Sequence, residues 1–126
     1  MVRNGGYDKG ATMKRIVINR SYGEFCISHR ALVRLRELRQ REALDEKDPG
    51  IYWPVAAGPR EPSLNQCGKF IPRDDENLVR VVEELGEAAD GHAASLRIVT
   101  IPENVKWVIT NTDGGEQVSE AHRTWG

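Results

Sequence analysis

Apolar residues recur with a clear period in some parts of the chain and with none in others. Residues 1–12 hold Gly5, Gly6 and Gly10 around Val2, Tyr7 and Ala11, with no face to bury, so a disordered extension is expected. Met13 opens the run MKRIVINR and reads as a second translation start. Arg15 to Arg20 then alternates as a short strand, with Ile16 and Ile18 on one face and Val17 and Asn19 on the other. Ser28 is a good N-cap, and Ile27 before it is placed to staple against Leu32. The stretch HRALVRLRELRQREAL predicts one helix with Leu32, Leu35 and Leu38 on its apolar stripe and Arg30, Arg34 and Arg41 on the opposite side.

From 45 to 73 the period disappears. Pro49, Pro54, Pro59, Pro62 and Pro72 exclude a continuous helix or a central strand, so a long loop is expected, packed at its two ends through residues such as Trp53, Phe70 and Ile71. Asp74 or Asp75 then caps a second helix with apolar steps at Leu78, Val81, Val82, Leu85, Ala88 and Ala89. Gly86 inside that pattern predicts close approach to a neighbour, and Gly91 suits the left-handed position at the helix end. Strands follow at about 95–101 and 105–110, and Gly114-Gly115 permits a hairpin into 116–119. The expected fold is α+β: residues 13–126 form a single domain in the order β-α-loop-α-β-β-β, with an antiparallel C-terminal β meander packed with two helices.

Composition narrows the setting. No apolar run approaches the roughly 20 residues of a membrane helix, and the N-terminus lacks a signal-peptide core, so no membrane partner and a cytoplasmic location are expected. Cys26 and Cys67 read as reduced thiols. The net charge of -1 hides a split: residues 1–44 carry ten Lys/Arg against four Asp/Glu, and the rest carry eight against fifteen. Such a split serves an anionic partner or contact between copies of the chain. The arginine face of the first helix is either an anion-binding surface or a solvated face neutralised by Glu37 and Glu42.

Candidate chemistry concentrates in the tail His122-Arg123-Thr124-Trp125. An arginine beside an indole suits a nucleotide, one binding phosphate while the other stacks; equally, Trp125 can anchor the C-terminus while Arg123 pairs with Glu120 or Glu116. His122 with Glu120 or Asp113 offers a general base and its orienter. None of the three histidines stands at metal-ligand spacing with another, so neither a metal nor a cofactor is expected. Cys26 near His29 lacks a third catalytic member, and no phosphate-binding glycine loop or helix-turn-helix pattern is present.

The runs MKRIVINRSYGEF, VRVVEELGEAADG (Val79 to Gly91), LRIVTIPENVKW and DGGEQVSEAHRTW together resemble a family of small phage and prophage proteins. The most specific of these is the C-terminal pattern DGxExVxExHRTW. Tyr22-Gly23-Glu24-Phe25 departs from the family's Gly-Gly-Phe by carrying Glu24 at the second glycine. The family is similar to the Thoeris anti-defence sponges, phage proteins that sequester cyclic ADP-ribose-type immune signals without cleaving them. The resemblance implies a non-catalytic homo-oligomer, in the cytoplasm of an infected bacterial host, holding a small anionic nucleotide (cyclic ADP-ribose-like or a cyclic oligonucleotide) between subunits. The residues expected to hold it are Tyr22, Phe25, Arg30, His122, Arg123, Thr124 and Trp125. The alternatives are a phage inhibitor that docks on a host protein through the arginine-rich helix or the proline-rich loop, and a small hydrolase using His122.

Overall fold

Three consecutive β-branched residues, Ile16, Val17 and Ile18, make the first strand suited to burial on both faces, and the computed structural model, which describes residues 12–46, 68–91 and 93–121, places it so. Strand β1 (Met13–Asn19) pairs antiparallel with β2 (Leu96–Pro102), Met13 opposite Pro102 and Asn19 opposite Leu96. Strands β3 (Trp107–Thr112) and β4 (Gly115–Glu120) form a separate hairpin. The α+β class is as expected, whereas the C-terminal meander is not formed. Strand β2 leaves its sequence neighbour β3 and pairs instead with the N-terminal strand, where Leu96 and Ile98 join Val17 against the helices. Strand β3, which ends in Thr110, Asn111 and Thr112, has less apolar surface to offer such a partner.

The caps fall where the side chains dictate. Helix α1 (His29–Glu37) starts at Ser28, whose Oγ accepts from the Ala31 N–H at 3.1 Å, and both Ile27 and Leu32 are fully buried. The long helix expected through Leu44 breaks at residues 38–40. The Gln40 N–H donates to the Leu35 carbonyl at 2.9 Å and the Arg39 N–H to the Arg36 carbonyl at 3.0 Å, with Arg39 at φ 64. That is a Schellman closure with arginine in the position that glycine usually fills. Gln40 then caps a new helix, α2 (Arg41–Asp45), its side chain accepting from the Ala43 N–H at 2.8 Å. Arg41 therefore sits on a different helix from Arg30 and Arg34, and the single arginine face read from one continuous period does not exist.

Helix α3 (Glu76–Leu85) starts at Asp75, which accepts from the Leu78 N–H at 3.0 Å, and ends at Gly86, after which a 3₁₀ turn (Gly86–Ala89) follows. The two glycines exchange the roles expected of them. A Cβ on Gly86 would meet nothing within 4 Å, and its φ of +57 is what favours glycine there. Gly91 does not adopt a positive φ, but a Cβ on it would lie 2.4 Å from Cys26 Sγ and 2.7 Å from the Cys26 carbonyl carbon. The close approach follows from two backbone bonds of 2.8 Å, Gly91 N–H to Cys26 and Ser28 N–H to Ala89, that lock these segments together.

Leu32 and Leu35 of α1 and Leu78, Val81 and Val82 of α3 form the core with Val17, Ile27 and Leu96. Ile71 enters it too, while Phe70 beside it is 72 % exposed, so the C-terminal end of the proline-rich segment packs through one of its two apolar residues. The flanks of that segment meet: the Gly68 N–H donates to both carboxylate oxygens of Glu46, at 2.9 and 3.1 Å. The expected N-terminal extension up to Ala11, the loop interior 47–67 and Cys67 lie outside the described residues.

Two substitutions test this account. Gly91→Ala is expected to lower stability by about 3 kcal/mol, because backbone atoms of Cys26 cannot move aside cheaply. Arg39→Gly is expected to raise it by about 1 kcal/mol by relieving a left-handed non-glycine residue. Urea unfolding reads both, and an unchanged midpoint for either variant refutes the corresponding explanation.

Candidate functional site

The loop after β1 is held from below by one buried side chain. Asn19 donates through Nδ2 to the Gly23 carbonyl at 2.7 Å, and its Oδ1 accepts from Ser21 Oγ at 2.9 Å and the Ser95 N–H at 2.8 Å. Gly23 has no room for a side chain, since a Cβ would stand 2.3 Å from the Ala93 carbonyl oxygen. With the turn pinned at these points, Tyr22 projects from it and is 90 % exposed. Phe25, two residues past Gly23, is buried.

Above Phe25 lies an ion pair. The Arg73 guanidinium sits 3.7 Å from the Phe25 ring centroid and binds the Glu116 carboxylate with two bonds, of 2.6 and 3.0 Å. Arg73 also donates to the Val17 carbonyl at 3.2 Å, and Glu116 accepts from the Asn19 N–H at 2.8 Å. Burial pushes the Glu116 carboxyl up, but the bonds from Arg73 and from the Asn19 N–H outweigh it and hold it below the ordinary carboxylate range. Phe25, Arg73 and Glu116 line a cleft of ≈ 460 Å³ together with Tyr22, Glu24, Lys69 and Asn111. Arg73 is committed to Glu116, so the charges the cleft has left are Lys69, whose ammonium rests 5.2 Å from the Phe70 ring centroid, and the exposed Glu24.

A second groove of ≈ 660 Å³ lies between the start of β1 and α3. Its cations Lys14, Arg15 and Arg80 face Asp74, Glu76, Glu83 and Glu103, and Lys14 pairs with Asp74 at 3.2 Å and Arg15 with Glu83. An excess of carboxylate makes this groove a poor place for an anion.

The expected site residues divide. Tyr22 and Phe25 line the cleft, Tyr22 as an accessible ring and Phe25 as the floor beneath Arg73. Arg30 is exposed on the first turn of α1 and does not line it. His122, Arg123, Thr124 and Trp125 lie outside the described residues. Ala121, whose N–H donates to the Lys106 carbonyl at 2.9 Å, closes the open end of the hairpin. The other end, at Gly115, abuts Arg20 and Ser21, and six strand residues separate the two by about 20 Å. Arg34 and Arg36 of the first helix brace the protein. Arg34 binds Glu84 at 2.9 Å and Glu37 at 3.1 Å, and Arg36 donates to the carbonyls of Ala43 and Glu46. Arg34, helped by Arg80, holds the Glu84 carboxyl down at about 2.

Sequence reasoning missed Lys69, Arg73, Asn111 and Glu116. Arg73 and Glu116 stand in different elements and carry no local signal; the tertiary fold alone makes them neighbours. Among the described residues, no group of three or more His, Cys, Asp or Glu could hold a metal ion, and no helix is long and apolar enough to cross a membrane. No family model, curated protein or solved structure matches this chain.

The ion pair predicts an acid-sensitive fold. A carboxyl lowered in the folded state contributes stability that is present above its unfolded value, about 4.3, and is lost as pH falls through the folded value. The melting temperature is therefore expected to drop as pH falls from about 5 toward 2. Glu116→Gln is expected to cost about 2 kcal/mol at neutral pH and to flatten that slope. A variant with wild-type stability and an unaltered acid profile refutes the structural weight given to the pair.

Proposed function

We propose that this chain is a phage-type, non-catalytic binding protein that captures a small anionic nucleotide, such as a cyclic ADP-ribose-like or cyclic oligonucleotide immune signal. The observation that carries the reading is the Tyr22 ring, 90 % exposed on a pinned turn beside a cleft whose uncommitted cation is Lys69. A base or ribose stacks on such a ring while the ammonium takes a phosphate, and Asn111 offers a donor and an acceptor for polar edges. Support for capture rather than turnover comes from Glu116. A carboxyl held ionised and engaged by Arg73 and the Asn19 N–H is a weak base. The resemblance of MKRIVINRSYGEF and DGGEQVSEAHRTW to a family of small phage and prophage proteins, itself similar to the Thoeris anti-defence sponges, is in keeping with that reading.

Titration calorimetry with cyclic ADP-ribose isomers and cyclic oligonucleotides, followed by recovery of the ligand after denaturation, tests this. Intact recovered ligand supports capture; altered ligand supports a hydrolase using His122. Silence across the panel refutes nucleotide capture. Tyr22→Ala and Lys69→Ala are each expected to weaken binding about tenfold, the scale of one stacking or charged contact. If both leave affinity unchanged while Arg123→Ala abolishes it, the site is the tail and not the cleft.

A further inference from the structure

The charged residues that line the cleft cancel: Lys69 and Arg73 stand against Glu24 and Glu116. Arg73 and Glu116 neutralise each other through their two bonds, so the opposite charges left over are Lys69 and Glu24, both exposed. Charge alone therefore does not draw an anion into this cleft; what selects a ligand is where the two signs stand. Among the described residues, the Glu24 side chain has no ion-pair or hydrogen-bond partner. Its backbone is nonetheless fixed on both sides. Gly23 lies against Ala93 with no room for a Cβ and its carbonyl takes the 2.7 Å bond from Asn19, while Phe25 is buried beneath Arg73.

Tyr22 and Glu24 belong to one loop, their Cα atoms no more than about 7 Å apart. Lys69 comes from the segment before α3, and Asn111 from β3, where it stands opposite Glu116. With a base stacked on Tyr22 and the phosphate at Lys69, Glu24 borders the base end of the ligand. A carboxylate only accepts hydrogen bonds, so the edge it meets has to supply donors. Adenine and cytosine each set a ring acceptor beside their amino group, and uracil flanks its one N–H with two carbonyls. Guanine alone presents two adjacent donors, N1–H and the N2 amino group, one for each carboxylate oxygen. Its O6 stands next to them, and the Asn111 carboxamide has a donor for it.

We propose that the cleft selects guanine among nucleobases and that Glu24 is the residue that determines this specificity. The inference rests on the reading of the cleft as a nucleotide site and names the class of nucleotide it takes: a guanine-bearing one with its phosphate at the Lys69 end. Discrimination comes from mismatch as much as from contact, because any other base sets a lone pair against the carboxylate and leaves one of its oxygens unpaired. The two signs also orient the ligand. Lys69 attracts the phosphate and Glu24 repels it, so a nucleotide turned end for end meets repulsion at both ends of its fit. The 2′,3′-diol of a ribose is the other pair of adjacent donors on a nucleotide. It lies between base and phosphate, away from the end that Glu24 borders.

Titration calorimetry of the full chain with the 3′,5′-cyclic monophosphates of guanosine, inosine and adenosine tests this, since their esterified 3′ oxygens remove the sugar diol. Cyclic GMP is expected to bind about tenfold tighter than cyclic IMP, which lacks only the N2 amino group, and tighter still than cyclic AMP. Glu24→Gln is expected to keep the wild-type melting temperature, having no partner in the fold to lose, while weakening cyclic GMP about tenfold and bringing it level with cyclic IMP. Equal affinity for all three ligands, lost in Tyr22→Ala, overturns the guanine inference and leaves the nucleotide site standing. A guanine preference that survives Glu24→Gln overturns the role of Glu24. So does Glu24-dependent binding of 5′-GMP and 5′-AMP alike with no binding of the cyclic forms, which assigns the carboxylate to the sugar diol. Silence from every nucleotide overturns the inference and the reading beneath it together.

Discussion

The bond pair between Arg73 and Glu116 is the constraint on which the rest of the arrangement depends. Two antiparallel ribbons of two strands each are marginal by themselves, and β1 turns Val17 and Asn19 toward the hairpin with backbone donors to satisfy. A third strand would ordinarily meet them with a ladder. Here a loop carbonyl and a carboxylate do so, from Arg73 and Glu116, and the Arg20 guanidinium adds a bond of 2.7 Å to the Glu116 carbonyl. Side-chain bonds thus take the place of sheet continuation, and the hairpin is docked rather than merged.

That substitution shapes the cleft. Because Arg73 must neutralise Glu116 and lie against Phe25, the strongest cation in the cleft is structural, and the groups left to line it are Tyr22, Glu24, Lys69 and Asn111. A guanidinium already holding a carboxylate bidentately would have to surrender it to bind a phosphate, at the cost of leaving Glu116 partly buried and unpaired. The cleft therefore keeps its shape, while its mouth carries an exposed ring and an exposed ammonium.

The same economy appears at β2. Among the described residues, one edge of β1 is closed by Arg73 and Glu116 and the other by β2, and the outer side of β2 is trimmed by Asp90 and Pro102.

The sequence by itself determined what depends on neighbours in the chain. Ser28 and Asp75 cap helices because a short oxygen-bearing side chain reaches the N–H three residues on; a hairpin forms at the expected glycines, with Asp113-Gly114 as its turn and Gly115 already in β4, because the bond geometry of a tight turn is local. The amphipathic periods located the core faces of α1 and α3 for the same reason. Tertiary structure decided the rest. Strand β2 chose β1 over β3 because burial against two helices outweighs proximity in sequence, and Gly86 and Gly91 exchanged roles because close approach is a property of the partner, Cys26, and not of the glycine. Tyr22 and Phe25, expected from the resemblance, line the cleft, and Lys69, Arg73, Asn111 and Glu116 join them there with no signal in the sequence. A charge pair spanning separate elements leaves no periodic or local trace, and only the folded chain brings its two ends within hydrogen-bonding distance.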